Sequence, residues 1–329
     1  ALGLAVPAVT TAASGRLFAK GLLIKNATAL ERLAEVDTVV FDKTGTVTMG
    51  APKVTNWHTL PKEAQRLAFA LAQGSSHPLS QAIANCGRDA GVTPAVLDEV
   101  TEQAGFGTRA HFEGRQVRLG RASWIDAAPQ TPGVSSALDL GDGRAFTIAF
   151  QDSLRPGARA LVARLTARGI KVMLLSGDRN SPVADTAKTL GIGSFKSDML
   201  PEEKLRYITK LAEDEGRKVL MVGDGLNDTG ALAAAHVSIS PAQALDAARA
   251  ASDIVLLGND LEPVADAMDL ARVARKRISE NFRIATIYNV VAVPLAVAGL
   301  ATPLIAALAM SASSLTVSLN ALRLGRKRT

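Results

Sequence analysis

Asp42-Lys43-Thr44-Gly45-Thr46-Val47-Thr48 follows the short apolar run Asp37–Phe41. A carboxylate presented at the end of a buried strand can attack a phosphorus atom and carry the phosphoryl group as an aspartyl phosphate. Gly45 allows a sharp turn just after it, and backbone N–H groups with the Thr46 hydroxyl can hold phosphate oxygens. Lys43 adds a cation. A second acidic segment, Gly223-Asp224-Gly225-Leu226-Asn227-Asp228, follows the apolar run Lys218–Val222. Its two carboxylates can converge on a hard cation such as Mg²⁺, which takes oxygen ligands and neutralises charge on a transferring phosphoryl group.

These segments need a scaffold that presents strand ends side by side. Asp37–Phe41, Lys171–Leu175, Lys218–Val222 and the DIVLL stretch of Ser252–Leu257 are short apolar runs of the kind found in buried parallel strands. Helical stretches are expected between them, at Gly157–Arg168, Val183–Leu190, Glu202–Glu213 and Thr229–Ala235. The alternation predicts an α/β fold with a doubly wound parallel sheet, whose catalytic groups lie beyond the carboxyl ends of the strands. About a hundred residues separate the first two strands, far more than a crossover needs. Pro52 to about Phe150 is therefore expected to be an inserted α+β domain. Its helical part is Lys62–Gly74 and Leu79–Ala90, and its strand part is Glu102–Gly120 and Arg144–Phe150.

The 329 residues leave room for two or three domains, with 47% hydrophobic and 4% aromatic residues. The net charge is +6, and its distribution argues against a nucleic-acid partner. Arg272, Arg275, Lys276, Arg277 and Arg283 precede the apolar run Ile284–Leu300. Arg323, Arg326, Lys327 and Arg328 follow a second apolar run, Leu304–Leu319. Basic clusters flanking apolar runs predict the cytoplasmic ends of two membrane helices in a lipid bilayer. The apolar opening ALGLAVPAVTTAA reads as the second half of another, with further chain upstream. The single cysteine, Cys86, excludes an intrachain disulfide and fits a cytosolic setting for the polar part.

DKTGTVT resembles the signature of the P-type ATPases, members of the haloacid dehalogenase-like superfamily, and the resemblance extends over essentially the whole chain. It implies a haloacid dehalogenase-like phosphorylation domain, an inserted nucleotide-binding domain, transmembrane helices, and ATP and Mg²⁺ as substrate and cofactor. Related hydrolases carry an acid two residues after the nucleophile. Thr44 stands there, so the phosphoenzyme is expected to resist water. The resemblance implies a backbone carbonyl of Thr44 on Mg²⁺ beside Asp42, Asp224, Asn227 and Asp228. Ser176-Gly177-Asp178 is similar to the family's TGD, and Lys204 to its phosphate-facing lysine. Asp152-Ser153-Leu154-Arg155-Pro156 resembles the family's DxxRP segment. Ser76-His77-Pro78-Leu79 resembles the His-Pro motif of the heavy-metal branch. With Gly105-Phe106-Gly107 and Gly120 it implies the nucleotide site: His77, Pro78, Gly105, Gly107 and Gly120. The glutamate that the family carries just before His-Pro is absent from Ala72–Ser76.

The domain boundaries implied are the end of a transmembrane helix at 1–14, a connector at 15–32, and phosphorylation domain at 33–51 and 151–262. The nucleotide-binding domain is 52–150, and a basic connector helix is 263–281. Transmembrane helices follow at 282–301 and 303–322, with a basic tail at 323–329. Tyr288-Asn289 and Met310-Ser311-Ala312-Ser313-Ser314 resemble membrane motifs of copper(I) pumps, which implies Tyr288, Asn289, Met310 and Ser314 as transported-metal residues. A thioether suits Cu⁺. Zinc-type pumps carry Lys and Asp in these helices, so copper is favoured and zinc stays the alternative. The family's Thr-Gly-Glu actuator motif and its cysteine-containing metal sites do not occur here, and an upstream segment is expected to supply them. A haloacid dehalogenase-like phosphatase and a non-transporting regulatory module are the readings from other classes.

Overall fold

The computed structural model describes residues 3, 5–125, 134–300 and 302–325, with the backbone alone at Leu226, Pro303 and Gly325. The end of the basic tail, the first positions of the apolar opening and Ala301 lie outside the described residues. In chain order the strands are β1 (Leu22–Ile24), β2 (Thr38–Asp42), β3 (Thr48–Val54), β4 (Asp98–Gln103), β5 (Gly107–Phe112) and β6 (Arg115–Gly120). They continue as β7 (Val134–Asp139), β8 (Ala145–Leu154), β9 (Lys171–Leu175), β10 (Ser194–Lys196), β11 (Val219–Val222), β12 (Val237–Pro241) and β13 (Ile254–Leu256). The helices are α1 (Pro7–Ala19), α2 (Ala29–Leu33), α3 (Lys62–Ala72), α4 (Pro78–Asp89), α5 (Ala158–Ala167) and α6 (Asn180–Leu190). They continue as α7 (Pro201–Glu213), α8 (Thr229–Ala234), α9 (Asp246–Ala251), α10 (Glu262–Val297) and α11 (Pro303–Leu322).

Two compact units divide the chain. The first comprises Ala1–Val47, Arg155–Gly177 and Ala187–Thr329, and the second Thr48–Leu154 and Asp178–Thr186. The first unit holds a seven-stranded sheet in the order β1-β13-β12-β11-β2-β9-β10. Its strands run parallel except β1, which pairs antiparallel with β13. β2 is buried at all five positions, as a central strand covered on both faces must be. Val40, Met173, Leu175, Val219 and Met221 pack with Ile208 and Leu211 of α7 and with Leu232 of α8.

The sequence missed β12. Its alternating serines, Val237-Ser238-Ile239-Ser240, look half-exposed, yet every residue is buried. The hydroxyls are accommodated because Ser240 bonds Ser252 at 2.8 Å and Ser238 meets Asp253 through its hydroxyl and its N–H.

The second unit is a six-stranded antiparallel sheet in the order β3-β8-β7-β6-β5-β4. Leu67, Leu71 and Ile83 of α3 and α4 share a core with Val117, Leu138 and Ile148 of the sheet. The unit begins at Thr48 rather than Pro52, and runs to Leu154 rather than Phe150. β3 is the reason, since Thr48 pairs with Leu154 and Pro52 with Asp152. Asp152 also accepts from the backbone N–H groups of Gly50 and Ala51.

Two boundaries on the membrane side also shift. The expected break between 263–281 and 282–301 is a single helix, α10, which runs 36 residues from Glu262 to Val297 through Pro294. α1 continues past residue 14 to Ala19. Among the described residues one helix, Leu304–Leu322, is long and apolar enough to cross a membrane. The end of α10 falls short of that measure, although Ile287, Val290 and Val297 are all exposed there.

Candidate active site

Asp42 is the last residue of β2, and the register fixes its neighbours. Leu175 pairs with Asp42 on one side, so Ser176 lies one residue beyond it at the end of β9. Val222 pairs with Phe41 on the other side, so Gly223 and Asp224 extend past the end of β11. Asp228 stands just before α8. Carboxylate oxygens of Asp42, Asp224 and Asp228 lie within 4.8 Å of one another, close enough for one cation. Lys204, in the first turn of α7, donates to Asp42 Oδ1 and, at 2.8 Å, to Asp228 Oδ1. Asp42, Asp228 and Lys204 are all buried.

The electrostatics follow from that crowding. Burial, then the neighbouring Asp228, pushes the Asp42 carboxyl up to about 7, against the pull of Lys204. Burial and Asp228 likewise push Asp224 up to about 6, opposed by Arg155. Burial disfavours the Lys204 ammonium, but Asp42 and Asp228 outweigh it and its pKa rises. Lys204 thus bonds two of the three carboxylates and Arg155 acts on the third through space, leaving a set of hard oxygen donors short of positive charge, which suits Mg²⁺. Thr46 is fully buried and its Oγ1 has no hydrogen-bond partner among the described residues. A buried hydroxyl left open in this way is suited to a phosphate oxygen.

Lys43 is buried next to Asp42. Thr44 is exposed and has extended dihedrals, and Gly45 has φ +70°. Arg155 reaches this turn, donating from Nη2 to the Gly45 carbonyl at 2.6 Å, and its backbone N–H bonds Val47 O. Asn227 is exposed, and so is Gly177. Asp178 is half-buried and groups with the second unit. Lys204→Met is expected to destabilise the Mg²⁺-free protein by about 3–5 kcal/mol, because two buried carboxylates lose their partner. Denaturant unfolding measures this, and an unchanged midpoint would show that Lys204 does not hold the cluster.

The second unit carries a cavity of about 290 Å³, lined among others by His77, Gly105, Phe106, Gly107, Gly120 and Glu102. The glycines are there because the backbones touch. A Cβ at Gly107 would lie 2.1 Å from Leu119 O, and one at Gly120 would lie 2.1 Å from Phe106 O. Pro78 opens α4, and His77 caps it, with Nδ1 accepting from Leu79 N–H at 3.2 Å. That bond leaves the ring proton on Nε2. Ser75 Oγ donates to Glu102 Oε1 at 2.6 Å, so β4 brings a carboxylate into the cavity.

Residues 36–236 match the family described as haloacid dehalogenase-like hydrolase. The nitrogen fixation protein FixI of Rhizobium leguminosarum bv. viciae is 46% identical over 330 residues, which is 98% of this chain and 43% of that protein. The crystal structure of a zinc-transporting PIB-type ATPase in its E2.Pi state superposes with TM-score 0.83 at 31% identity, covering 99% of this chain and 56% of that one. The catalytic domain of the CPx-ATPase CopB-B matches with TM-score 0.67 at 30% identity, over 78% of this chain and 98% of the domain. The chain belongs to the P-type ATPases. It spans less than half the length of the FixI relative.

In this P-type ATPase the four expected transported-metal residues are not gathered among buried groups. Tyr288, Asn289 and Ser314 are half-buried, and Met310 is 62% exposed. The buried polar contact between the helices lies elsewhere. Asn281 is fully buried, donates to Ala5 O at 3.1 Å and accepts from Asn320 Nδ2 at 2.9 Å. It ties α10 and α11 to the chain leading into α1. Sequence reasoning missed Glu102, which lies 25 residues beyond His77, and the partner of Arg155. No local signal marked Glu102, because its strand is mostly polar and is exposed at every position.

Proposed function

We propose that this chain is the catalytic and carboxy-terminal membrane part of an ATPase that moves a heavy-metal cation across a membrane, with Asp42 as the phosphoryl acceptor. The observation that carries this is the buried group of Asp42, Asp224, Asp228 and Lys204 at the end of the parallel sheet, with Thr44 where a hydrolase keeps an acid. An Asp42 oxygen attacks the γ-phosphorus of ATP, the bond to the bridging oxygen breaks, and ADP leaves. Asp42, Asp224 and Asp228 would hold Mg²⁺ with Asn227 and the Thr44 carbonyl, and the ion supplies positive charge against the phosphoryl oxygens. Lys43, Thr46, Lys204 and the Ser176-Gly177-Asp178 segment hold and neutralise those oxygens. Incubation with labelled ATP and Mg²⁺ is expected to leave an acid-stable, hydroxylamine-sensitive label on the protein. No label under these conditions sinks the reading.

The base of ATP occupies the cavity of the second unit, with His77 offering its Nε2–H and Glu102 an acceptor. Pro78 sets the start of the helix that His77 caps. Gly107→Ala is expected to raise the Kd for ATP by roughly tenfold or more, the worth of about 1.4 kcal/mol. Isothermal titration measures it, and an unchanged Kd would remove the glycine pair from the nucleotide site.

For the ion, Cu(I) is our reading, supported by the Met310 thioether and by the lack of any acid or base at the centre of either apolar run. Zinc is the second reading, favoured by the exposure of Met310 and by likeness to a zinc-transporting ATPase. ATP hydrolysis by the full-length protein is expected to rise with Cu⁺ and not with Zn²⁺. Stimulation by zinc alone would overturn the copper assignment.

A further inference from the structure

An open cavity of about 790 Å³ lies where α1, α10 and the turn after α11 come together. Its cations are Arg16 and Lys20 from α1, Lys276 and Arg277 from α10, and Arg323 at the end of α11. Three acids also line it, and each is already partnered. Asp266 pairs with Lys20 and Arg164, Asp269 with Arg164 and Arg168, and Glu280 with Arg277. Arg16 donates to Leu324 O. Lys276 and Arg323 are exposed, and neither forms a close ion pair among the described residues, Lys276 acting on Glu280 only through space. The cavity therefore presents two cations outside any close ion pair, with five basic groups against three acidic ones.

Its surroundings are apolar and open. Leu270, Val273 and Leu324 contribute to its walls. Leu322, beside Arg323, is 68% exposed, and Leu319 and Leu315 continue the exposed apolar side chains along α11. A site with a net excess of cations at one end of exposed apolar helix surface matches an amphiphile with an anionic head.

We propose that this cavity binds the headgroup phosphate of an anionic phospholipid, with Lys276 and Arg323 as its cations and the acyl chains against α11. The inference rests on α11 lying in a bilayer. A zwitterionic lipid adds a quaternary ammonium, which this basic cavity repels. Free inorganic phosphate has the charge but gains nothing from the apolar surface.

The test is native mass spectrometry of the full chain in detergent, titrated with phosphatidylglycerol or with phosphatidylcholine. Retention of phosphatidylglycerol over phosphatidylcholine is expected. Lys276→Gln with Arg323→Gln is expected to weaken phosphatidylglycerol binding roughly thirtyfold, the worth of two basic residues at an anionic surface. Phosphatidylcholine binding stays unchanged in that variant, and millimolar inorganic phosphate does not displace the lipid. Equal retention of both lipids by the wild type overturns the proposal while leaving α11 a lipid-facing helix. Retained preference in the double variant, or displacement by phosphate, also overturns it. Failure to bind either lipid would instead remove the membrane reading of α11. Lys276→Glu with Arg323→Glu, also at exposed positions, is expected to abolish the preference and guards against a weak effect from Gln.

Discussion

Asp42→Asn is expected to abolish the phosphoenzyme, with labelling reduced by at least roughly 10⁴-fold, the scale on which loss of a covalent nucleophile is felt. The amide keeps the shape of the side chain and removes the attacking oxygen. Its effect on stability separates catalysis from folding. Burial and Asp228 already push the wild-type carboxyl up to about 7, so the charged form is poorly accommodated without a cation. A neutral side chain relieves that crowding, and its amide oxygen can still accept from Lys204. The Mg²⁺-free variant is therefore expected to melt no lower than wild type. Labelling of the variant at the wild-type level would remove Asp42 as the acceptor. A collapse in melting temperature would show that the loss of label came from unfolding.

Gly45→Ala is expected to produce the second-largest loss. A Cβ at this position would lie 1.6 Å from Asp224 Oδ2 and 2.5 Å from its Cγ, and the backbone has φ +70°. The backbone strain alone is worth about 1–2 kcal/mol. The larger consequence is that Asp224 must leave the three-carboxylate group, or the turn carrying Thr46 must move away from Asp42. Either change weakens cation binding and misaligns the phosphate, and a loss on the order of 10²-fold in labelling is expected for a misplacement of about 1 Å. The Mg²⁺ concentration for half-maximal labelling is expected to rise in parallel. Normal labelling with the wild-type Mg²⁺ dependence would show that the turn and Asp224 are not coupled.

The site-bearing strands of the first unit were legible because their chemistry is local. Asp42 ends an apolar run, and Ser176 and Asp224 lie within two residues of the end of one, so type and position could be read from one short segment each. The boundaries of the second unit were less legible. Thr48–Val54 lacks strong strand character, with Gly50 and Pro52 inside it, and becomes a strand through pairing with β8 a hundred residues away. β12 was hidden for the same reason, since its serines are satisfied by Ser252 and Asp253 from a distant segment.

The sequence by itself singled out Asp42 as the candidate nucleophile, with the acidic segment and the glycine turns, because strand-end motifs keep their chemistry within a few residues. Tertiary structure decided which groups answer them. Lys204 reaches Asp42 across 162 positions, and Arg155 reaches the Gly45 carbonyl across 110. Glu102 of β4 lines the same cavity as His77, which caps α4. The basic cavity exists only where α1, α10 and the end of α11 converge. Those partners are chosen by register and packing between segments far apart in the chain, which no local pattern records.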